Sequence, residues 1–192
     1  MNDFHDSIVD IKEEHITQIT AISDKELGEG FLKYNDIMDK IRDKTSHICK
    51  AALTDKNVLG FCLSKIVKQS EICDYLRVDQ TYLPEYVKRA DKIGVLKTIA
   101  VNSDVHRHGV GYALTLAAYN DLITRGIQAI SSIAWKNGEK INADRLLSAI
   151  GLRPHIEIKS YWKADGIKNN YNCSVCGPPP CKCSAVLYFG AG

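Results

Sequence analysis

The sequence predicts an α/β domain built on a mixed sheet, and three observations carry that prediction. β-rich runs alternate with amphipathic helical runs over only part of the chain. Two hairpins interrupt the alternation, so some neighbouring strands must run antiparallel. The chain is also long and apolar enough for a core: 192 residues, 45% hydrophobic and 25% charged, with 13 Gly and only 5 Pro. That composition excludes disordered, collagen-like and low-complexity chains. No stretch approaches the roughly 20 apolar residues of a membrane span. The N-terminus is acidic without an apolar run, so a cytoplasmic protein is expected. A net charge of +2 is too mild to point to nucleic acid.

The elements follow in order. Ser7 to Ile11 reads as a short strand. Ile16, Ile19 and Ile22 recur every third residue in a helix from Glu13 to about Leu27, stopped near Gly28 and Gly30. Phe31 to Ile41 is a second helix, and His47 to Leu53 with Val58 to Val67 form a hairpin around Thr-Asp-Lys-Asn. Gln69 to Asp91 is irregular and charged, with one or two helical turns after Pro84. Lys92 to Val101 reads as a strand with Val95, Ile99 and Val101 on one face and Leu96 and Ala100 on the other, interrupted by Lys97 and Thr98. A polar turn then leads to Gly109-Val110-Gly111 and a helix to about Arg125, with Leu114, Ala117, Ala118 and Leu122 as its stripe and Gly126 as its stop. Ile127 to Trp135 is a strand, Ile141 to Ile150 a helix closed by Gly151, and His155 to Trp162 a strand. Trp135 and Trp162 end their strands and are expected to cover the rim of the core. A cysteine-rich segment and a last strand, Ser184 to Phe189, complete the chain.

Strand, glycine turn and helix together carry the chemistry. The first N–H groups of a helix have no internal partner and sit at the positive end of its dipole. Glycine lets an anion approach them without a Cβ in the way. His106, Arg107 and His108 add donors beside those amides, so a diphosphate is a natural guest. Tight turns and close helix packing produce Gly-x-Gly as well. A dinucleotide fingerprint would need a small residue where Leu114 stands, and a Walker loop would need Lys where Tyr112 follows Gly111.

Leu96-Lys97-Thr98-Ile99-Ala100-Val101 followed by His106-Arg107-His108-Gly109-Val110-Gly111 resembles motif A of the GNAT acetyltransferases, with His106 in place of its usual Gln or Arg. Ala143 to Leu152 resembles motif B of the same family, and its Gly151 lies 40 residues past Gly111. The resemblance implies a single acyltransferase domain over residues 1–192, with a mostly antiparallel, twisted sheet flanked by helices. It implies an acetyl-CoA or acyl-CoA site, with Ile99 and Val101 offering backbone groups to the pantetheine arm. The turn of Arg107, His108, Gly109, Val110, Gly111 and Tyr112, beside His106, would hold the pyrophosphate. The acceptor would be a primary amine, small or peptidic, chosen by the loops Gly28–Asn35 and Gln69–Asp91. Dimers are common in the family.

The family's usual catalytic groups do not carry over. Its motif B tyrosine falls on Leu147, its motif B asparagine on Lys140, and Val95 to Val101 holds no carboxylate. Positioning alone can supply a large rate factor. Tyr112 and Tyr161 are the candidate substitutes, with Tyr82, Glu85 and Asp91 behind them, though packing or solvation explains each of them better.

Seven cysteines are present, four of them as Cys173-x-x-Cys176 and Cys181-x-Cys183 around Gly177 and three prolines. Two close pairs can turn four thiolates to one centre, which suits a closed, structural Zn2+ site in an insertion spanning 166–183. An iron–sulfur cluster, a redox pair and free thiols are the alternatives. An interaction module on an inactive scaffold, binding protein or nucleic acid, is the competing function class. Few aromatics are available there to stack bases, so nucleic acid is not expected.

Overall fold

The computed structural model describes residues 7–55, 57–106 and 108–192. The strands are β1 (Ile8–Asp10), β2 (His47–Thr54), β3 (Asn57–Lys68), β4 (Lys92–Val101), β5 (Ala129–Asn137), β6 (Lys140–Ile141), β7 (Arg153–Ile158) and β8 (Ser184–Ala191). The helices are α1 (Ile16–Glu26), α2 (Tyr34–Arg42), α3 (Ile72–Leu76), α4 (Glu85–Arg89), α5 (Val110–Thr124), α6 (Asp144–Ala149) and α7 (Lys163–Asn169). One sheet runs β1-β2-β3-β4-β5-β8-β7, with β6 paired to β5 as a short hairpin. Every pairing is antiparallel except β4 with β5.

Two faces of the sheet are covered. α5 packs Leu114, Ala118 and Leu122, all fully buried, onto Ile48, Cys62, Leu96 and Ile130. Gly94 makes room for it: a Cβ there would lie 2.8 Å from both methyls of Leu122. Gly126, at φ 74°, stops this helix as its N–H donates to the Ile123 carbonyl and Ile127 returns to Leu122. The opposite face carries two separate clusters. α1 and α2 bury Ile16, Ile19 and Ile37 against Phe61 and Leu63. α3 and α4 bury Ile72, Leu76 and Val87 against Val95 and Leu187.

Three expectations are corrected. The β3–β4 register shifts between Leu63 and Ser64, so Leu63 faces Thr98 while Ser64 faces Leu96, leaving Lys97 as the extra residue of a β-bulge. The side-chain alternation resets there, and Leu96 shares the α5 face with Ile99 and Val101, whereas Val95 lies on the other face with Ala100. The expected strand from His155 to Trp162 instead ends at Ile158, and Trp162 caps the unanticipated helix α7. α3 likewise forms inside the stretch read as irregular.

Candidate functional site

β4 and β5 pair only from Ile93 opposite Ala129 to Leu96 opposite Ser132. Beyond that point β4 stays with β3 and β5 stays with β8, so the two strands part. The Ser132 hydroxyl donates to the Leu96 carbonyl at 2.7 Å, closing the apex of the wedge. A cavity of about 600 Å³ fills it, bounded by Leu96 to Val101 on one side and Ser132 to Trp135 on the other. The β5-facing edge of β4 past Leu96 is open backbone, a ready partner for an extended ligand.

The far end of this cavity is the glycine turn. Val105, His106, Gly109, Val110 and Gly111 line it, together with Ile99 and Val101. Gly109 sits at φ 86° immediately before α5, a left-handed conformation that favours glycine, and the first intrahelical bond is Ala113 N–H to Gly109. The amides of Val110, Gly111 and Tyr112 are therefore the unpartnered N–H groups of the first turn. His106 Nε2 donates to the Val101 carbonyl at 2.8 Å, which ties the turn back to β4. α1 holds the turn's entry: Glu26 accepts from the Ser103 amide at 2.8 Å, and Lys25 reaches Asn102 at 2.9 Å and Asp104 at 3.2 Å. His108 and the Tyr112 side chain are exposed and lie off the cavity wall. Arg107 lies outside the described residues.

The structure brings neither candidate acid to the cavity. Tyr112 is 45% exposed on α5, and Tyr161 is buried with its hydroxyl donating to the Leu76 carbonyl at 3.1 Å. Tyr82 is exposed, Glu85 pairs with Lys88 at 2.8 Å, and Asp91 is an exposed residue just before β4. The cavity is lined instead by side chains that sequence reading placed elsewhere or passed over: Phe31, Lys97, Trp135, Lys140, Asn142 and Tyr171, with Trp162. Trp135 and Trp162 thus wall the cleft and pack on the cysteines, and Trp162 also covers the edge of the core cluster beneath α3 and α4, as expected. Burial, with Asp165, Cys181 and Cys173 nearby, holds the Tyr171 hydroxyl above the ordinary tyrosine range.

Between α7 and β8 the four sulfurs of Cys173, Cys176, Cys181 and Cys183 lie within 4.8 Å of one another. Cys176 approaches Cys183 at 3.4 Å and Cys181 at 3.9 Å, and no disulfide joins them. Zn–S bonds of about 2.3 Å in a tetrahedron require sulfurs ~3.8 Å apart, so the donor set fits a closed thiolate site. Burial pushes the Cys176 thiol up, but the Lys182 amide at 3.4 Å and the other three thiols outweigh it and hold it below its ordinary value. Burial raises Cys183 to about 11. Cys173 and Cys181 also line the cavity. The segment docks on the loop after α1: Asn172 N–H donates to the Glu29 carbonyl at 3.1 Å, the Ser174 hydroxyl to Glu26 at 3.3 Å, and Phe31 meets Tyr171 edge to face at 5.2 Å.

No protein-family profile matches the sequence, and no curated protein matches it significantly. Solved structures do. Arabidopsis thaliana NAA60 in complex with acetyl-CoA superposes with a TM-score of 0.69 at 13% identity, over 96% of this chain and 97% of that one. Chaetomium thermophilum Naa20 in complex with a bisubstrate analogue gives 0.69 at 12% identity, over 96% and 85%. The ribosomal-protein-S18-alanine N-acetyltransferase from Escherichia coli gives 0.64 at 13% identity, over 96% and 92%. At these identities the likeness is one of fold, and it spans nearly the whole chain.

Proposed function

We propose, on the premise of the chain's GNAT fold, that it transfers an acetyl or other acyl group from acyl-CoA to a primary amine. The observation that carries this reading is the wedge between β4 and β5 with the glycine turn at its end. The open β4 edge, with Ile99 and Val101, suits an extended thioester arm. The amides of Val110, Gly111 and Tyr112, beside His106, suit its pyrophosphate. The bulge at Lys97 frees backbone donors near the apex, where a thioester carbonyl would develop negative charge. With the family's tyrosine position occupied by Leu147, the chain's own contribution is mainly orientation of the amine against the thioester.

The four cysteines are read as a structural Zn2+ site, consistent with reduced thiols in a cytoplasmic setting. Such an ion would fix Asn172 and Ser174 against the loop after α1, shaping the acceptor side of the cavity. No helix of the described residues is long and apolar enough to cross a membrane.

Two measurements test the reading. Coenzyme A should raise the melting point and give a calorimetric isotherm, and acetyl-CoA should release free thiol in the presence of an amine panel. Salt-sensitive nucleic-acid binding with no response to coenzyme A would favour an interaction module instead.

A further inference from the structure

A second cavity of about 180 Å³ opens beside the first, and Phe31, Lys97, Thr98, Trp162 and Tyr171 line both. It lies on the sheet face between the α1–α2 and α3–α4 clusters, and its charged lining is one-sided. Lys40, Lys65, Arg77 and Lys97 face it with His47, against Asp36 and Asp165. Among the described residues, none of these four cations has a carboxylate within ion-pair distance. Lys40 donates to the backbone carbonyl of Asp36 at 2.7 Å. Lys65 and Lys97 share one ring, their ammonium groups 5.1 and 4.9 Å from the centre of Tyr75. The Arg77 guanidinium lies 4.3 Å from the centre of Tyr161 and 6.0 Å from that of Trp162.

The crowding is costly. Burial, then the charges of Lys40, Arg77 and Lys65, hold the Lys97 ammonium below the ordinary lysine range, with Asp165 opposing. Arg77 ends α3 at φ 54°, a left-handed conformation unfavourable to a residue with a side chain. Aromatic faces stabilise these cations without neutralising them, so the cleft keeps a positive field at close range. An anion entering it gains the attraction that the four groups now spend repelling one another.

We infer, resting on the acyl-CoA reading of the adjoining cavity, that this cleft seats a carboxylate carried by the acceptor. The acceptor is then an amine with an anionic group a few bonds away, of amino-acid character, and polyamines and basic peptides are disfavoured. Lys65 and Arg77 act as binding residues for that carboxylate, and Lys97 bridges it to the wedge.

Thiol release from acetyl-CoA tests this with acceptors matched in shape. 4-Aminobutyrate is compared with 4-aminobutanamide and 1,4-diaminobutane, β-alanine with β-alaninamide, and C-terminally amidated tripeptides bearing Asp with those bearing Asn or Lys at the second position. The expected result is a kcat/KM at least tenfold higher for the carboxylate member than for its neutral partner. Turnover of the acidic tripeptides alone identifies a peptide as the source of the same carboxylate. Arg77→Gln and Lys65→Gln should each shrink the preference at least fivefold, Arg77→Lys should retain most of it, and Arg77→Glu should turn it toward the diamine. The melting point and its coenzyme A shift report whether each variant is folded. Coenzyme A binding with no carboxylate preference, or a preference untouched in both Gln variants, overturns the inference and leaves the acyl-CoA reading standing. The absence of any coenzyme A shift in the unsubstituted protein overturns both.

Discussion

Gly28→Ala tests whether the cysteine segment is clamped to the loop after α1. Gly28 lies at φ 132°, and a Cβ built there would overlap the Asn172 carbonyl oxygen, with the Asn172 carbonyl carbon at 2.9 Å and Cys173 Cα at 3.2 Å. All three obstacles are backbone atoms, so no rotamer change relieves the clash. The segment must lift away. The bonds at risk are Asn172 N–H to Glu29, Ser174 N–H to Leu27 at 3.4 Å, and Ser174 hydroxyl to Glu26. Three such bonds are worth about 2–3 kcal/mol together, at roughly 1 kcal/mol each. A side chain in the left-handed region adds about 1–2 kcal/mol. A loss of about 3–5 kcal/mol in a chain of this size lowers the melting point by roughly 6–20 °C. Gly30→Ala is the control. It shares a positive φ, 77°, but its Cβ would meet only Tyr171 Cβ, at 3.9 Å, so it should cost the backbone contribution of about 1–2 kcal/mol alone. Thermal melts of both variants, with the rate at which a chelator strips added zinc, are the assay. Equal melting points and equal stripping rates for the two variants would refute the clamp.

Three further outcomes are expected. Cys176→Ser should drop bound zinc well below one per chain by mass spectrometry and lower the stability by about 3 kcal/mol where the free metal stands at 100 times Kd, with a matching fall in melting point; chelator treatment of the unsubstituted protein should reproduce the loss. Gly111→Val should weaken coenzyme A at least tenfold by calorimetry, because a Cβ there would meet Leu146 at 3.2 Å and Val101 at 3.5 Å, leaving its two branches no room without shifting the first turn of α5 and its free amides. Lys97 should acylate faster than Lys136 in peptide mapping at pH 8: burial lowers the first, whereas its hydrogen bond to Glu157 at 2.6 Å raises the second, so more of Lys97 is neutral below its unperturbed value near 10.5. Lys97 reacting no faster than Lys136 would contradict the cation-crowded setting assigned to it.

What could be read in the sequence was whatever local chemistry fixes. Gly109 and Gly126 are needed for their backbone angles, and each marked an end of α5 correctly. The pairs of cysteines announced their own convergence, because a turn of Gly177 and prolines leaves four thiols few other places to go. The hairpin of β2 and β3 followed from two β-rich runs and a polar turn. Trp162 and Tyr171 escaped because nothing in their neighbours distinguishes a cleft wall from a core rim. Their place depends on α7, a seven-residue helix whose Gly166 fits against Cys181 and Tyr171, and such a helix is held by tertiary contacts rather than by propensity.

Lys97 shows how the two kinds of information meet. As an interruption in the alternation of β4 it was visible, but alternation alone cannot say whether a lysine on a buried strand points to solvent or marks an inserted residue. The bulge resolves this: one extra residue turns Ile99 and Val101 to the α5 face, and it falls just past Leu96, where β4 leaves β5. The same residue therefore sits at the apex of the wedge and on the wall of the cationic cleft. Deleting Lys97 should close the bulge, so that Thr98 follows Leu96 in regular pairing with β3 while Thr98 to Val101 keep their faces. Replacing it by Met keeps the extra residue and removes only the charge. The deletion is expected to leave the sheet folded with the bulge closed, and Lys97→Met to keep the bulge and raise the melting point while weakening carboxylate-bearing acceptors. That contrast separates what the bulge does for architecture from what the ammonium does for the ligand.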